Sequence, residues 1–463
     1  MIADLKPYPA MKDSGVEWLG KVPRHWDVVA VKRHYSIQLG KMLQTRANQS
    51  TDVEVPYLKA QHVQWFSVQT ADAPKMWASP SDIEQFGIRS GDLLVCEGGE
   101  GGRSSLVKDM VSGYIIQNAL HRVRAANSCG NDYLQYVMNS AAAAGWLAAI
   151  NNKATIAHFT REKFGSLCIP FPSFAEQAKV VRYLDYVGRR VQQFVKAKQK
   201  LIKLLEEQKQ AIIHHAVTRG LDPDVPLKDS GVEWLGKVPE HWDVVAVKRH
   251  YSIQLGKMLQ THANQSTDVE VLYLKARHVQ WFSVQTADAQ KMWASPRDIE
   301  KFGIRSGDLL VCEGGEGGRS SLVKDMVSGY IIQNALHRVR GTNNCRNDYL
   351  QYVMNSVAVA GWLDAINNKA TIAHFTGEKF GSLCIPFPSF TEQTAIAECL
   401  DKAIASIDAA IARTRREIEL LQEYHPRLTA DVVTGKIDVR DAAANLPDEP
   451  DEPEPIQKGG YSA

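Results

Sequence analysis

Short runs of β-branched and apolar residues at 28–35, 92–96 and 114–123 stand between Gly and Ser punctuation and predict strands. Ser79-Pro80 opens a short helix with proline at its first helical position. Over 132–150 the apolar residues Leu134, Val137, Ala141 and Leu147 return to one face, which predicts a helix. Two longer stripes follow. Val187, Val191, Phe194, Leu201, Leu205 and Ile212 fall at a spacing of three or four, as do Ala403, Ile407, Ala410, Ile418, Leu421 and Leu428. An IPFP segment that forbids helix upstream precedes each stripe, and a capping-box sequence opens it: Ser173-Phe174-Ala175-Glu176 and Ser389-Phe390-Thr391-Glu392. Such spacing marks a helix that pairs with another helix, and each stripe has the other as its obvious partner. Some 30 residues make a rod of about 45 Å. Val195, Ile202 and Ile213 lie off the first stripe and are expected to face outward, and Pro426 should kink the second helix.

The pattern repeats because the sequence does. Residues 11–177 align without a gap to 227–393 at an offset of 216, and 17 of the 167 positions differ. A period this long is a domain plus a linker rather than a solenoid repeat. The mixed elements within each copy predict the α+β class: two near-identical α+β domains joined by two long helices that form an antiparallel coiled coil, related by a pseudo-two-fold axis. The expected divisions are a first domain at 1–172, a helical spacer at 173–220, a second domain at 221–388, a second spacer at 389–440, and an acidic, Pro-rich, disordered tail at 441–463.

With 44% hydrophobic residues the chain can bury a large core, and no stretch approaches 18 uninterrupted apolar residues. The N-terminus lacks the apolar core of a signal peptide, so a cytoplasmic location is expected. The seven cysteines form no CxxC pair, which favours buried reduced thiols over zinc or disulfides. Net charge is +2, but the tail after Arg440 holds six acids against one base, leaving the body at +7. That surplus is compatible with a phosphate-binding face.

The loop Gly98-Gly99-Glu100-Gly101-Gly102-Arg103 lacks the Lys-Ser/Thr of a P-loop and does not fit GxGxxG. It reads as a tight turn that presents Arg103. His158 and His374, in ATIAHFT, read as core histidines, and no GxSxG, HExxH or Asn-Pro-Pro-aromatic tetrad occurs. Side chains suited to reading bases gather instead in a few segments: Lys41, Gln44 and Arg46; Lys59 and His62, with Gln61, Gln64 and Trp65 beside them; and Gln117, Asn118 and Arg122, with His121 and Arg124 on the same predicted strand. Gln and Asn bind adenine bidentately, and Arg or Lys binds guanine. Counterparts in the second copy are Lys257, Gln260, His262, Lys275, Arg277, His278, Arg319, Gln333, Asn334 and Arg338. Alternation along a strand would turn half of such residues to a plain solvated face.

KDSGVEWLGKVPRHW, GDLLVCEGGEGGRSSL with QNALHRVR, IPFPSFAEQ and IPFPSFTEQ, and DVVTGKIDVR from Asp431 together resemble the specificity subunit of type I restriction-modification systems over essentially the whole chain. The resemblance implies two target-recognition domains that each read one half of a bipartite DNA site, with a coiled coil setting the gap. It also implies two modification (methyltransferase) subunits and restriction/translocase subunits as partners on double-stranded DNA. S-adenosylmethionine, ATP and Mg are expected on those partners and none on this chain. The chain departs from the family in that its two domains are nearly the same, which points to a near-palindromic site. Asymmetry should trace to Arg46 against His262, Gln61 against Arg277, Ser81 against Arg297 and Gly130 against Arg346. A tandem protein-binding adaptor and a self-sufficient DNA-modifying enzyme are the alternatives left open.

Overall fold

The computed structural model describes residues 5–108, 113–126, 128–151, 158–324, 329–342, 344–363 and 375–447. It separates into two compact units, Met1–Lys198 with Arg416–Ala463, and Gln199–Arg415. The division cuts across both long helices, so neither is left as a free-standing spacer.

In the first unit the strands of the two larger sheets are β1 (Tyr35–Leu39), β2 (Val53–Leu58), β3 (Lys75–Ala78), β4 (Leu93–Cys96), β5 (Ser104–Leu106), β6 (Ile115–Ile116) and β7 (Leu120–Ala125). They form a four-stranded sheet in the order β5-β4-β7-β1 and a three-stranded sheet in the order β6-β2-β3. All four residues of β4 are buried because both faces of its sheet are covered. Leu93 and Val95 enter the main core, while Leu94 and Cys96 enter a second core with Leu58, Val63 and Ile116. An uninterrupted apolar run is the expected signature of such a strand. The predicted strand at 28–35 divides into Asp27–Ala30, a 3-10 turn at Val31–Arg33, and β1. The predicted helix at 132–150 also divides, into Asn131–Ala143 and Trp146–Asn151, because Gly145 turns the chain at φ 73°. The helix foreseen after Ser79 runs over Pro80–Phe86, and its cap is complete: the Ser79 side chain accepts from Asp82 N and the Asp82 side chain accepts from Ser79 N.

The same contacts recur 216 residues later in the second unit. Arg124 holds Asp92 through Nε at 2.7 Å, and Arg340 holds Asp308 through Nε at 2.5 Å. His121 Nε2 lies 3.0 Å from the Phe159 carbonyl, and His337 Nε2 lies 3.1 Å from that of Phe375.

Helix α1 (Phe174–Arg219, 46 residues) and helix α2 (Phe390–Val433, 44 residues) start directly after the expected capping serines and run past the roughly 30 residues of the apolar stripes. At 1.5 Å per residue they span about 69 and 66 Å. Helix α2 continues through Pro426. Their neighbouring segments are antiparallel within each unit. In the first, Gly188 faces His425 and Lys198 pairs with Glu417. In the second, Glu206 pairs with Arg415 at 3.3 Å and Lys209 with Asp408 at 2.8 Å.

The buried face of α1 is one residue out of phase with the expected stripe over much of its length. Phe194 and Leu201 are 49% and 44% exposed, whereas Ile213, expected outside, is fully buried. Val187, Val191, Val195, Lys198, Ile202, Leu205, Lys209 and Ile213 keep the three-four spacing. A stripe read from apolar residues alone steps aside at Lys198 and Lys209, because their buried stems carry charges that reach acids on α2.

Each domain core is completed by the helix arriving from the other repeat. Leu428, Val432, Val433 and Val439 join Tyr133, Phe159, Phe164 and Val180 in the first unit. Ile213, Ala216 and Val217 join Tyr349, Phe375, Phe380 and Ile396 in the second. The N-terminal segment closes the first unit: Lys6 bridges to Asp438, and Tyr8 Oη donates to Glu176 Oε1 at 2.7 Å. This contact changes the capping box foreseen at Ser173. The Glu176 carboxylate is drawn to Tyr8 and His25, whereas Glu392 completes its box by accepting from Ser389 N. The acidic tail beyond Pro447 lies outside the described residues.

Buried His121 and His337, pushed below the ordinary histidine value chiefly by burial, make stability pH-dependent. The unfolded chain takes protons near pH 6.5 while the folded one resists, so this contribution is present above about pH 6.5 and is lost as the pH falls. Guanidinium titrations from pH 7.5 to 5 should show falling stability, with a shallower slope in His121→Gln/His337→Gln. An unchanged slope would mean that neither imidazole is buried neutral.

Candidate nucleic-acid interface

Glycine at position 40 brings two of the predicted segments together. A Cβ there would lie 2.2 Å from the Gln117 carbonyl oxygen, so only glycine lets the end of β1 cross the turn between β6 and β7. Lys41 then bridges to Gln117, and Asn118 Nδ2 reaches Met42 Sδ at 3.0 Å. Gln117 N donates to the Leu58 carbonyl, which sets the 59–62 turn alongside. Arg103 joins from the glycine loop, its Nη2 donating to the Ala60 carbonyl at 3.0 Å. Four segments distant in sequence (41–46, 59–62, 100–103 and 117–118) therefore meet on one side of the first unit. The second repeats the arrangement, with a Cβ at Gly256 falling 2.4 Å from Gln333 O.

Within this face many of the candidate side chains are committed to the fold. Lys41 pairs with Asp82 at 2.9 Å and Lys257 with Asp298 at 3.0 Å, each lysine with little exposure and a half-buried acid partner. Gln44 and Gln260 hold the following loop by donating to Asp52 and Asp268 at 2.9 Å. Backbone N–H groups from Asn48 and Asn264 keep those two carboxyls below the usual range. Arg103 and Arg319 reach back to Glu100 and Glu316, at 3.1 and 2.9 Å. The loop thus ties its own arginine instead of offering it free.

Arg122 and Arg338 require correction. Both are 8% exposed, and their guanidinium groups turn inward to the Gly87 and Gly303 carbonyls at 2.5 Å. The strand that carries them lies in a sheet covered on both faces, so alternation has no solvated side to offer. His62 and His278 are likewise buried, each capping its turn by accepting the Lys59 or Lys275 N–H on Nδ1 at 3.1 Å. Burial pushes both imidazoles below their ordinary value. Gln117, Asn118, Gln333 and Asn334 are half-buried, occupying a turn rather than the middle of a strand.

Arg46 and His262 lie at exposed loop tips, as do Gln61 and Arg277 on their turn. Lys59 and Lys275 are half-buried; Lys275 donates to Gln290 Oε1 at 2.9 Å. His158, read as a core histidine, is exposed, and the core position belongs to His121. His374 lies outside the described residues. Among the cysteines only Cys96, Cys129 and Cys312 are buried and Cys399 is exposed, but all seven are free thiols. Burial pushes the Cys312 thiol up to about 11. Among the described residues no group of His, Cys, Asp and Glu is arranged to hold a metal ion, and no helix is long and apolar enough to cross a membrane.

Three features escaped the sequence reading. Met42 and Met258 are 72% and 75% exposed beside the lysines. Trp65 and Trp281 anchor the 59–73 and 275–289 loops by donating to Glu100 and Glu316. Phe66 and Phe282 hold positive φ of 60° and 61°, a conformation uncommon outside glycine, while packing on Tyr136 and Tyr352 at 5.3 and 5.5 Å. A strained backbone position fixed in the same way in both copies marks a loop whose shape is held by its surroundings.

A family profile described as the type I restriction modification DNA specificity domain matches residues 279–420. The specificity subunit of the type I restriction enzyme MjaVIII from Methanocaldococcus jannaschii is 22% identical over 429 residues, covering 91% of this chain and 95% of that one. That of EcoBI from Escherichia coli is 31% identical over 87 residues, 18% of each. In fold, the chain is similar to the HsdS subunit from Thermoanaerobacter tengcongensis (TM-score 0.58, 16% identity, covering 90% of this chain and 98% of that one). It is also similar to a chain from a structure of type I R-M complex assembly and conformational transition (TM-score 0.65, 14% identity, 89% and 98%).

The division of arginines into inward and outward sets is directly measurable. Arg122→Ala should cost about 1–3 kcal/mol of unfolding free energy by removing the shorter of the two arginine hydrogen bonds to the Gly87 carbonyl. Arg46→Ala should stay within about 0.5 kcal/mol of the parent, as exposed substitutions do. Equal losses in denaturant titrations would mean that the two arginines do not differ in role.

Proposed function

We infer that this chain, which belongs to the type I restriction-modification specificity subunits, is the sequence-specific DNA-binding component that selects the site on which such a complex acts. It is a non-catalytic recognition subunit, and the methyl-transferring and DNA-cleaving chemistry resides on other chains. The observation that carries the reading is the repetition, at an offset of 216 residues, of one converged polar face built from four segments on a doubly covered sheet. Exposed Arg46, Gln61, His262 and Arg277 lie on these faces and are the side chains proposed to meet base edges. Lys41, Arg103 and their counterparts, already paired with acids, position the loops.

The finer architecture belongs to the same proposal. Helices α1 and α2 form one antiparallel coiled coil that spaces two target-recognition domains about a pseudo-two-fold axis. A two-fold axis lying across duplex DNA relates one strand to the other, so near-identical readers meet inverted half-sites and the recognised sequence is close to an interrupted palindrome. Two modification subunits dock on the helices and restriction/translocase subunits join them. Exposed Phe194 and Leu420 in the first unit, and Leu201 and Leu204 in the second, suit such docking. S-adenosylmethionine, ATP and Mg are held by those partners.

A protein-binding adaptor and a self-sufficient enzyme make different predictions. The pure chain should bind duplex DNA with an affinity that falls steeply with salt, with a logarithmic slope of several phosphates. It should transfer no label from S-adenosylmethionine to DNA without its partners. Salt-independent binding would favour the adaptor, and turnover by the chain alone would overturn the non-catalytic reading.

Spacing supplies a second test. Inserting four residues, about one helical turn, after Lys200 should lengthen the nonspecific gap between half-sites by one or two base pairs. Sequencing of methylated sites in cells that carry the altered chain reads the gap, and a fixed gap would mean that the helices do not set it.

A further inference from the structure

The 17 positions at which the two copies differ are not spread evenly. None falls between Gln85 and Ala125, the span that holds the glycine loop, β4 and most of β7. Three fall around one turn: Pro56 against Leu272, Gln61 against Arg277, and Pro74 against Gln290. The turn keeps its backbone in both copies. Lys59 N donates to His62 Nδ1 at 3.1 Å and Lys275 N to His278 Nδ1 at 3.1 Å. Gln64 Nε2 reaches the Gln61 carbonyl and Gln280 Nε2 the Arg277 carbonyl, both at 3.0 Å. What changes is the set of side-chain groups left to meet a ligand.

Because Nδ1 accepts a backbone N–H, the neutral imidazole carries its proton on Nε2, which is a donor in both copies. In the first copy the His62 Nε2 atom is buried without a partner among the described residues, and His62 lines a cavity of about 350 Å³ together with Gln61, Gln69, Thr70 and Asp72. In the second copy the matching Nε2 lies 3.3 Å from Asp288 Oδ1, and Asp288 Oδ2 pairs with Arg277 Nη2 at 2.7 Å. Arg277 Nε approaches the same imidazole at 3.3 Å. Asp288 therefore bridges the two, one carboxylate oxygen taking the imidazole Nε2–H and the other holding the guanidinium through Nη2. The third change acts alongside: Gln290 accepts from Lys275 Nζ at 2.9 Å and from Tyr273 Oη at 3.2 Å, whereas Pro74 gives Lys59 no such acceptor.

We propose that this turn is where the two halves of the protein read different bases, Arg277 gripping guanine in one half-site and Gln61 adenine at the mirrored position of the other. A guanidinium fixed at one edge presents its remaining donors to guanine O6 and N7, and a glutamine amide matches adenine N6 and N7. Lys59 supplies a further donor beside Gln61. The inference rests on the reading of both units as DNA-binding domains, and it selects this turn, among the positions that differ, as the one whose contacts are rewired rather than merely replaced.

The test is selection of randomised duplexes by the full-length chain assembled with its modification subunits, followed by sequencing. The parent should enrich an inverted repeat with adenine and guanine at one mirrored position. Arg277→Gln should convert guanine to adenine there, and Gln61→Arg the reverse, each moving the preference by about tenfold. Each exchange installs a side chain that the same backbone already carries in the other copy, so folding is retained. Arg46→His, at another exposed difference, should leave this position untouched. A motif that neither exchange alters at this position, or one already identical there in the parent, would overturn the inference while leaving the DNA-binding reading intact. Two unrelated half-sites, or no enrichment at all, would instead defeat that underlying reading.

Discussion

Neither domain can close its own core. The apolar side chains of Leu428, Val432 and Val433 fill the first unit from the far end of α2, and those of Ile213 and Val217 fill the second from the far end of α1. Burying a side chain of this size contributes about 1.5–3 kcal/mol, so several of them form a substantial part of the net stability of a domain. The repeat thus makes each half of the chain depend on the other. It also draws the N-terminal segment to the C-terminal one, where Lys6 meets Asp438 and Arg440 lies over the Tyr8 ring at 5.0 Å.

A sheet covered on both sides governs the candidate interface. It takes Arg122, Arg124 and His121 out of solvent and uses them to bind carbonyl groups and Asp92, leaving only loops and turns to face outward. Those loops are fixed by cross-contacts: the Gly40 crossing, the Arg103 bond to Ala60, and the Trp65 bond to Glu100. A surface built on a rigid scaffold and held by its own neighbours loses little entropy when a duplex docks on it. The four tied segments also explain why exchange of single side chains between the copies leaves the backbone of the 59–62 turn unchanged.

Much of this was legible in the sequence. The mixed α+β character, the short helix after Ser79 and the two long helices follow from periodicity and capping, and the repeat follows from direct comparison. The phase of the α1 stripe was not, because Lys198 and Lys209 occupy inner positions that a hydrophobic pattern passes over. The break at Gly145 was missed because a glycine inside an apolar period looks like a tolerated residue until its φ is known. Arg122 and His62 mislead for one reason: in the sequence a polar residue on a strand or turn looks available to a ligand, whereas here it satisfies buried backbone groups. The exposed methionines and the Trp65 anchor carry no signal in a single sequence. Asp288 gains meaning only beside Arg277.

The central claim is that two equivalent domains of one chain meet two half-sites of one duplex. Hydroxyl-radical footprinting of the chain, assembled with modification subunits on a site that the assembly methylates, tests this most directly. Two protected stretches of similar length are expected, related by inversion and separated by a gap that tolerates any sequence. A single protected stretch, or protection indifferent to sequence, would contradict it.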